Sequence, residues 1–252
     1  MDGVLYHGEK PLPGAIDFVR RLADTPHLFL TNNPINTPDA VADKLERLGF
    51  PAVEAEQVLT SAQAAALWLS RKKPGFRYYA VGADGLHLAL SACGRPDEET
   101  AEFVVVGEGA GLDYQSLSRG IHLILKKGAR LVVTNPDHSV DAEIDGEHRV
   151  LPGGGALVAP FSVATGAEPV VIGKPEPLLF EMALERLGCK PEECLMIGDR
   201  PDTDIAGAAA LGLSTALVRT GRFGPGEAWP AGVPRPDWDE PGLESLIRKI
   251  LA

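Results

Sequence analysis

The chain has 252 residues, 44% of them hydrophobic and 23% charged, and a formal net charge of −11. This length can bury a substantial core, in one large domain or in two unequal ones. The acidic balance argues against a nucleic-acid partner, which requires a basic surface. The sequence contains no apolar run of about 18 residues, so no membrane span is predicted.

The cellular compartment is predicted from the first residues and the cysteines. A signal peptide would show a basic segment followed by an apolar one, and the first residues contain no such pattern. Cys93, Cys189 and Cys194 form neither a Cys-x-x-Cys pair nor an even set, which favours reduced thiols over disulfides or a metal site. A cytoplasmic protein is therefore expected.

Strand-like and helix-like segments alternate along the whole chain. The clearest helix has Val41, Leu45 and Leu48 at helical spacing, with Thr37 as a candidate cap. Residues 223–239, which contain Gly, Pro and Trp, are predicted to form an extended surface connection. The predicted strands are 27–30, 77–81, 102–106, 130–134, 170–172, 194–197 and 213–218, and the main predicted helices are 37–48, 176–187, 204–211 and 243–251.

This alternation predicts an α/β fold with a parallel sheet and helices on both of its faces. In an open parallel sheet, ligands bind beyond the carboxyl ends of the strands, where polar residues end apolar runs. The sequence therefore places its candidate site at a short set of strand-end residues: Asp2, Thr31, Asn32, Asn33, Lys174 and Asp199.

These residue types together can form a phosphate and magnesium site. The Thr31 hydroxyl and the Lys174 ammonium can bind phosphate oxygens, and carboxylates bind a hard cation through oxygen. Each residue also has a plainer alternative: Thr31 could cap a turn, Lys174 could be a solvated residue at a helix start, and Asp199 could form a turn. The presence of Asp204 five residues after Asp199, in the string GDRPDTDI, favours the site.

The first residues contain half of a catalytic motif. A phosphate-handling Asp-x-Asp-Gly motif has two carboxylates, of which the first attacks phosphorus and the second moves protons. Asp2 and Gly3 supply the second half, and the first carboxylate would stand immediately before Met1. We therefore expect the chain as printed to be catalytically impaired. The favoured explanation is that the start of the sequence is misplaced or clipped and that the natural protein is a competent phosphatase. The less favoured one is a truncated protein that binds phosphate ligands or a partner without catalysis.

Four motifs in chain order carry a family resemblance: DGVLYHG with LPGA, then LTNN, then VIGKPEP, then IGDRPDTDI. They resemble the motifs of the haloacid dehalogenase superfamily and, more narrowly, its NagD and p-nitrophenylphosphatase group. TNPD at 134–137 and LPGGGALVAPF from Leu151 are similar to cap signatures of that group. The resemblance covers residues 1 to about 220.

The resemblance implies a Rossmann-like parallel-sheet core with an inserted α/β cap domain. The core would comprise residues 1–73 and 169–252, and the cap residues 74–168. It also implies a Mg²⁺-dependent phosphomonoesterase that works through an aspartyl-phosphate on a small phosphorylated metabolite. A homodimer is compatible with the family.

The resemblance also assigns roles to the metal-site residues. Asp2 would be the general acid for the leaving alcohol and then the base that activates water, with its main-chain carbonyl on Mg²⁺. Asp199 would bind Mg²⁺ directly, and Asp204 would orient a metal-bound water or Lys174.

The phosphate contacts follow in the same way. Thr31 and the amide of Asn32, in a turn completed by Asn33, would hold the phosphoryl group. Lys174 would neutralise the developing charge and hold the nucleophile in place.

Substrate choice is expected to depend on the cap. Asp137, His138 and the acidic residues up to Glu147 could face the active site, with a hairpin tip at Asp145-Gly146. The alternative is a solvated hairpin, and the sequence favours neither.

A structural expectation follows from the incomplete first motif. In the resembled family, the strand before Asp-x-Asp is the central one of the core sheet, buried on both faces. We expect a slot between residues 27–31 and 195–198 that is empty, collapsed or filled by another segment, because the neighbouring strands lack a backbone partner there.

Overall fold

The structure is a computed structural model that describes residues 1–144 and 146–250. Its strands are β1 Tyr6–His7, β2 Lys10–Pro11, β3 Phe29–Thr31, β4 Val58–Thr60, β5 Arg77–Val81, β6 Arg95–Pro96, β7 Phe103–Val106, β8 Arg130–Val133, β9 Ser139–Ile144, β10 Glu147–Pro152, β11 Val170–Val171, β12 Leu195–Gly198, β13 Ser214–Val218 and β14 Trp238–Glu240. Its helices are α1 Ala15–Arg21, α2 Pro38–Arg47, α3 Ser61–Lys72, α4 Asp84–Ser91, α5 Tyr114–Lys127, α6 Gly154–Thr165, α7 Pro177–Leu187, α8 Ala206–Ala210 and α9 Leu243–Ile250.

Contacts divide the chain into two compact units. The first comprises Met1–Leu30, Asp39–Val58 and Lys174–Ala252, and the second comprises Thr31–Pro38 and Leu59–Gly173. These units differ from the predicted core and cap boundaries mainly by placing residues 31–38 and 59–73 with the second unit. The boundaries at 1–73, 74–168 and 169–252 stay a prediction.

The second unit is built on a parallel sheet with the strand order β11-β8-β7-β5-β6. Strand β7 is buried along its whole length, as expected for a strand covered on both faces. Phe161 of α6 and Leu123 of α5 pack on this sheet in one apolar cluster with Val104 and Val133. The sheet confirms the predicted α/β class, and β11, predicted as a strand at 170–172, forms its edge.

A hairpin of β9 and β10 extends from the second unit. Its two strands pair in antiparallel register from Ser139 opposite Pro152 to Ile144 opposite Glu147. Residues of β10 are exposed except at Leu151. The predicted tip includes Asp145, which lies outside the described residues.

The first unit contains a parallel sheet with the order β12-β13-β14. Strand β14 corrects the prediction that 223–239 is only a surface connection, because Ala216 of β13 pairs with Trp238 in parallel register. The sequence signal was weak because Gly and Pro dominate the residues before this strand. Helix α9 begins at Leu243 as predicted, and its predicted end at Leu251 lies outside the described residues.

The free edge of β12 is the feature expected from the incomplete motif. Within residues 1–144 and 146–250, β12 pairs only with β13, and β3 and β4 form a separate two-stranded sheet. Val4 and Leu5 pack in one apolar cluster with Phe29, Leu195 and Ile197. The structure thus agrees with the expectation that no central strand lies beside β12.

None of the helices among the described residues combines the length and the apolar character needed to cross a membrane.

Candidate active site

A buried ion pair forms the centre of the site in the first unit. Lys174 stands three residues before α7, and its Nζ donates to Oδ1 of Asp204 at 2.7 Å. The two side chains are only 9% and 5% exposed. Lys174 is therefore not the solvated helix-start residue of the plainer alternative.

Asp204 is held as an anion by three donors. Its Oδ2 accepts the main-chain N–H groups of Asp199 and Arg200, both at 3.2 Å. Burial opposes the charge, but the Lys174 ammonium, helped by the Arg200 amide, outweighs burial and holds the pKa of Asp204 below its usual range. Asp204 thus anchors both Lys174 and the turn that carries Asp199.

The spacing of Asp199 and Asp204 has a packing cause. Residues Pro201–Ile205 form a π-helical turn that folds Asp204 back over the end of β12. A Cβ on Gly198 would lie 2.3 Å from Cβ of Asp204, so only glycine leaves room for the carboxylate. The helix predicted from residue 204 is therefore this wider turn followed by α8.

Replacing Gly198 tests this close approach. We expect Gly198→Ala to lower the free energy of unfolding by about 1–3 kcal/mol, because the added methyl must displace Asp204. Chemical denaturation measures the change. The matched control is Gly224→Ala, whose Cβ would meet only the flexible end of Glu227 at 3.3 Å and should cost under ~0.5 kcal/mol. Equal effects of the two variants would contradict the packing explanation.

Asp199 follows β12 in a pocket lined by glycines. Its Oδ2 accepts the Arg222 main-chain N–H at 3.0 Å. A Cβ on Gly3 would come within 2.5 Å of that oxygen and one on Gly221 within 2.1 Å. Burial, reinforced by the negative charge of Asp204, raises the pKa of Asp199. The glycine of the Asp2-Gly3 motif is thus needed for close approach to this carboxylate.

Asp2 is exposed and is held by a histidine that the sequence analysis did not single out. Oδ1 of Asp2 lies 3.1 Å from Nδ1 of His7, and Nε2 of His7 donates to the Thr220 carbonyl oxygen at 2.8 Å. The Thr220 hydroxyl in turn donates to the Gly3 carbonyl oxygen at 2.7 Å. The string YHG after Asp2 was the available signal for His7.

In the second unit, the polar residues after β3 form a tight turn. The Asn33 main-chain N–H donates to Oγ1 of Thr31 at 3.1 Å, and the Ile35 N–H donates to Oδ1 of Asn33 at 2.8 Å. Thr31 therefore does cap a turn, as its plainer alternative states. A capped turn fixes the main-chain amides around Asn32, which is also what an anion site needs.

Asn32 is fixed from several directions within the second unit. Its Nδ2 donates to Oδ2 of Asp137 at 3.2 Å, and its carbonyl oxygen accepts from Nδ2 of Asn135 at 2.9 Å. The Ser61 hydroxyl donates to the same carbonyl at 2.5 Å. Asp137 is buried, whereas His138 is exposed, so the structure gives these two neighbouring candidates different surroundings.

The glycine run in LPGGGALVAPF is explained by this loop. A Cβ on Gly153 would lie 2.2 Å from the Asp137 carbonyl oxygen, and one on Gly155 would lie 2.3 Å from that of Pro136. A Cβ on Gly154 would come within 2.7 Å of the Asn135 carbonyl oxygen. The start of α6 therefore packs directly against the TNPD loop.

The structure brings Lys174, Asp199 and Asp204 together in the first unit, with Gly3 of the Asp2 motif against Asp199. It brings the Thr31–Asn33 turn and Asp137 together in the second. Among the described residues, no three His, Cys, Asp or Glu side chains are grouped as a ready metal site.

Comparisons with known proteins agree with these motifs. Residues 1–95 match the family described as haloacid dehalogenase-like hydrolase, and residues 171–238 match the family described as HAD-hydrolase-like. The chain is 39% identical over 224 residues to the 5′-nucleotidase YutF of Bacillus subtilis, covering 88% of this chain and 85% of that protein. It is 37% identical over 254 residues to the acid sugar phosphatase of Staphylococcus saprophyticus, covering 99% and 95%.

Solved structures give the same result. NagD from E. coli K-12 has a TM-score of 0.84 at 29% identity, over 96% of this chain and 94% of that one. The glycerol phosphate phosphatase of Mycobacterium tuberculosis, solved in complex with magnesium, has a TM-score of 0.86 at 34% identity, over 98% and 74%. This chain therefore belongs to the haloacid dehalogenase-like hydrolases, in the group of NagD-like p-nitrophenylphosphatases, and is a phosphatase by family.

Proposed function

We propose that this phosphatase hydrolyses small phosphate monoesters with the help of Mg²⁺, through a phosphoryl-aspartate on the position before Met1. The observation that carries the proposal is the buried arrangement of Lys174, Asp204 and Asp199. A lysine and two carboxylates held in this way at the end of a parallel strand are the parts that phosphoryl transfer requires.

The residues present fit a hard divalent cation. Asp199 is buried, and burial together with the charge of Asp204 raises its pKa. A divalent cation beside Asp199 would offset both effects and stabilise its carboxylate form. Asp199 would hold the ion with the Asp2 carbonyl, and Asp204 would support it from behind. Bound Mg²⁺ supplies positive charge against the phosphoryl oxygens.

The chain's own residues would divide the remaining work. Lys174 would stabilise charge on the transferring phosphoryl group and orient the nucleophile. The Thr31–Asn33 turn would bind phosphoryl oxygens through its hydroxyl and main-chain amides. Asp2, oriented by His7, would protonate the leaving oxygen and then remove a proton from the attacking water.

The substrate class is inferred from what the similar proteins share. Their names describe a 5′-nucleotidase, an acid sugar phosphatase and a glycerol phosphate phosphatase. Each name denotes a protein acting on a small phosphate monoester. We propose such a metabolite for this chain, with p-nitrophenyl phosphate as the test substrate, and with Asp137 and His138 as specificity residues. The homodimer and the cytoplasmic location stay predictions.

A second candidate function is phosphate binding without turnover. The observation that favours it is the capped Thr31–Asn33 turn, whose main-chain amides can bind an anion without any nucleophile. The two functions share the same anion site and differ only in hydrolysis.

The metal assignment is tested with Asp199→Asn. Mg²⁺ at about 100 times its Kd should stabilise the wild-type chain by ~2.7 kcal/mol, and the variant should lose this response. Without Mg²⁺, the variant should be at least as stable as the wild type, because it removes a buried carboxylate beside another one. Thermal unfolding with and without Mg²⁺ measures both effects.

The control is Asp202→Asn. Asp202 lies three residues after Asp199, and its exposed carboxylate is paired with Arg200. This variant should keep the full response to Mg²⁺. The activity assay uses a chain in which an apolar strand ending in aspartate precedes Met1, here called the strand-extended chain. Its hydrolysis of p-nitrophenyl phosphate should stop in excess chelator, and undiminished turnover there would refute the metal assignment.

A further inference from the structure

Glu108 is a buried carboxyl group that the proposed chemistry does not use. It follows β7 by two residues and is 1% exposed. Its Oε1 accepts from Nδ2 of Asn135 at 2.7 Å, and its Oε2 has no hydrogen-bond partner of normal geometry within the described residues, although the Gly154 N–H faces the carboxyl group. A buried acid with an unsatisfied oxygen costs stability, which points to a role beyond packing.

The amide of Asn135 connects Glu108 to the Thr31–Asn33 turn. Nδ2 of Asn135 donates one hydrogen to Glu108 and the other to the Asn32 carbonyl oxygen. Its Oδ1 accepts the Asp137 main-chain N–H at 3.1 Å, which fixes the orientation of the amide. All of these residues lie in the second unit. Because the same Asn135 amide bonds to both groups, a change in the charge of Glu108 alters the hydrogen bond that holds Asn32.

We propose that Glu108 is a positioning residue for the Thr31–Asn33 turn, and that its charge state controls how well this turn receives a phosphate-type dianion. The inference rests on the proposed function, in which that turn binds the phosphoryl group. Glu108 acts through Asn135 and, when it is ionised, through its own negative charge, and it does not touch the substrate.

The environment of Glu108 places its ionisation near neutral pH. Burial raises its pKa to about 7, opposed by the Asn135 amide and reinforced by the charge of Asp137. The other groups that face it are the Gly154 N–H at the start of α6 and, on its own carbonyl oxygen, the Ala83 N–H before α4. Glu108 is therefore neutral below about pH 7 and ionised above it.

The direction of the effect follows from this ionisation. Above pH 7, an anionic Glu108 adds a negative charge behind the turn in a region of low dielectric. A dianion at the turn is repelled by that charge, and we expect its affinity to fall about tenfold as the pH rises through 7.

Sulfate is the probe, because it keeps two negative charges between pH 5.5 and 8.5, whereas phosphate itself titrates in this range. We would measure its affinity for the full chain across that range from the NMR shifts of the Asn32 and Asn33 amides. The wild type should show the step near pH 7, and Glu108→Gln should bind with similar affinity at low pH but without that step. The control Glu99→Gln removes an exposed glutamate of the same unit and should keep the step.

Each outcome decides the proposal. A step of equal size in the wild type and in Glu108→Gln would overturn it, since another group would then control the turn. If sulfate binds at no pH, the proposed phosphate site is wrong. The Asn135 side-chain amide signals of the wild type still test the relay, as they also do if Glu108→Gln fails to fold. Movement of those signals with a midpoint near pH 7 supports the relay, and constant signals overturn it.

Discussion

A polypeptide that begins at Met1 should hydrolyse p-nitrophenyl phosphate at least ~10⁴-fold more slowly than the strand-extended chain. The reason is that Lys174 and Asp2 would act as a unit with the nucleophile, and removing one member of such a unit abolishes most of its effect. Steady-state turnover at saturating Mg²⁺ measures the ratio.

The extension must be separated into its strand and its carboxylate. A second extended chain that ends in Asn instead of Asp restores the apolar strand without the nucleophile. Both extensions should stabilise the protein, since each apolar side chain that becomes buried beside β12 contributes roughly 1.5–3 kcal/mol. Only the Asp version should turn over substrate. Full activity of the 252-residue chain, with contaminating phosphatase removed, would show that another carboxylate is the nucleophile.

Lys174→Met should lower activity by about 10³-fold or more, because the charge that stabilises the transferring phosphoryl group is lost. It should also lower the free energy of unfolding by about 3–5 kcal/mol, because the Asp204 carboxylate stays buried without its cation. Activity of the strand-extended chain and chemical denaturation measure the two effects.

The matched control is Arg119→Met, which removes the cation of an exposed pair with Glu98, where the side chains are 44% and 66% exposed. It should cost no more than ~1 kcal/mol. The double variant Lys174→Met with Asp204→Asn should regain much of the stability and none of the activity, because the unpaired charge is gone. A Lys174→Met protein as stable as wild type would contradict the assignment of Asp204 as a buried, cation-dependent anion.

The residues of the first unit's site could be predicted because their spacing reflects local packing. Gly198, Asp199 and Asp204 belong to one short segment, in which the glycine makes room for the carboxylate that folds over it. Such contacts within a few residues leave a signal in the sequence. The strands 77–81, 102–106 and 130–134 were predictable for a similar reason, since each is a short and largely apolar run in a parallel sheet.

The parts that could not be predicted depend on contacts between distant residues. In the sequence, Asp137 is an acidic residue before a hairpin, but in the structure it is buried and accepts a hydrogen bond from Asn32, 105 positions away. Glu108 follows an apolar strand with no hint of Asn135 as its partner. Strand β14 depends on pairing with β13, more than twenty residues earlier in the chain. Sequence periodicity reports local structure and cannot identify these partners.

The β9–β10 hairpin has a consequence for how this protein can evolve. Its strands pair with each other and β10 is largely exposed, whereas the adjoining TNPD loop is packed against three glycines that admit no side chain. Insertions and substitutions are best tolerated in exposed segments with few buried groups. We therefore expect sequence changes to be tolerated mainly in the hairpin, whereas the adjoining TNPD loop can accept few substitutions.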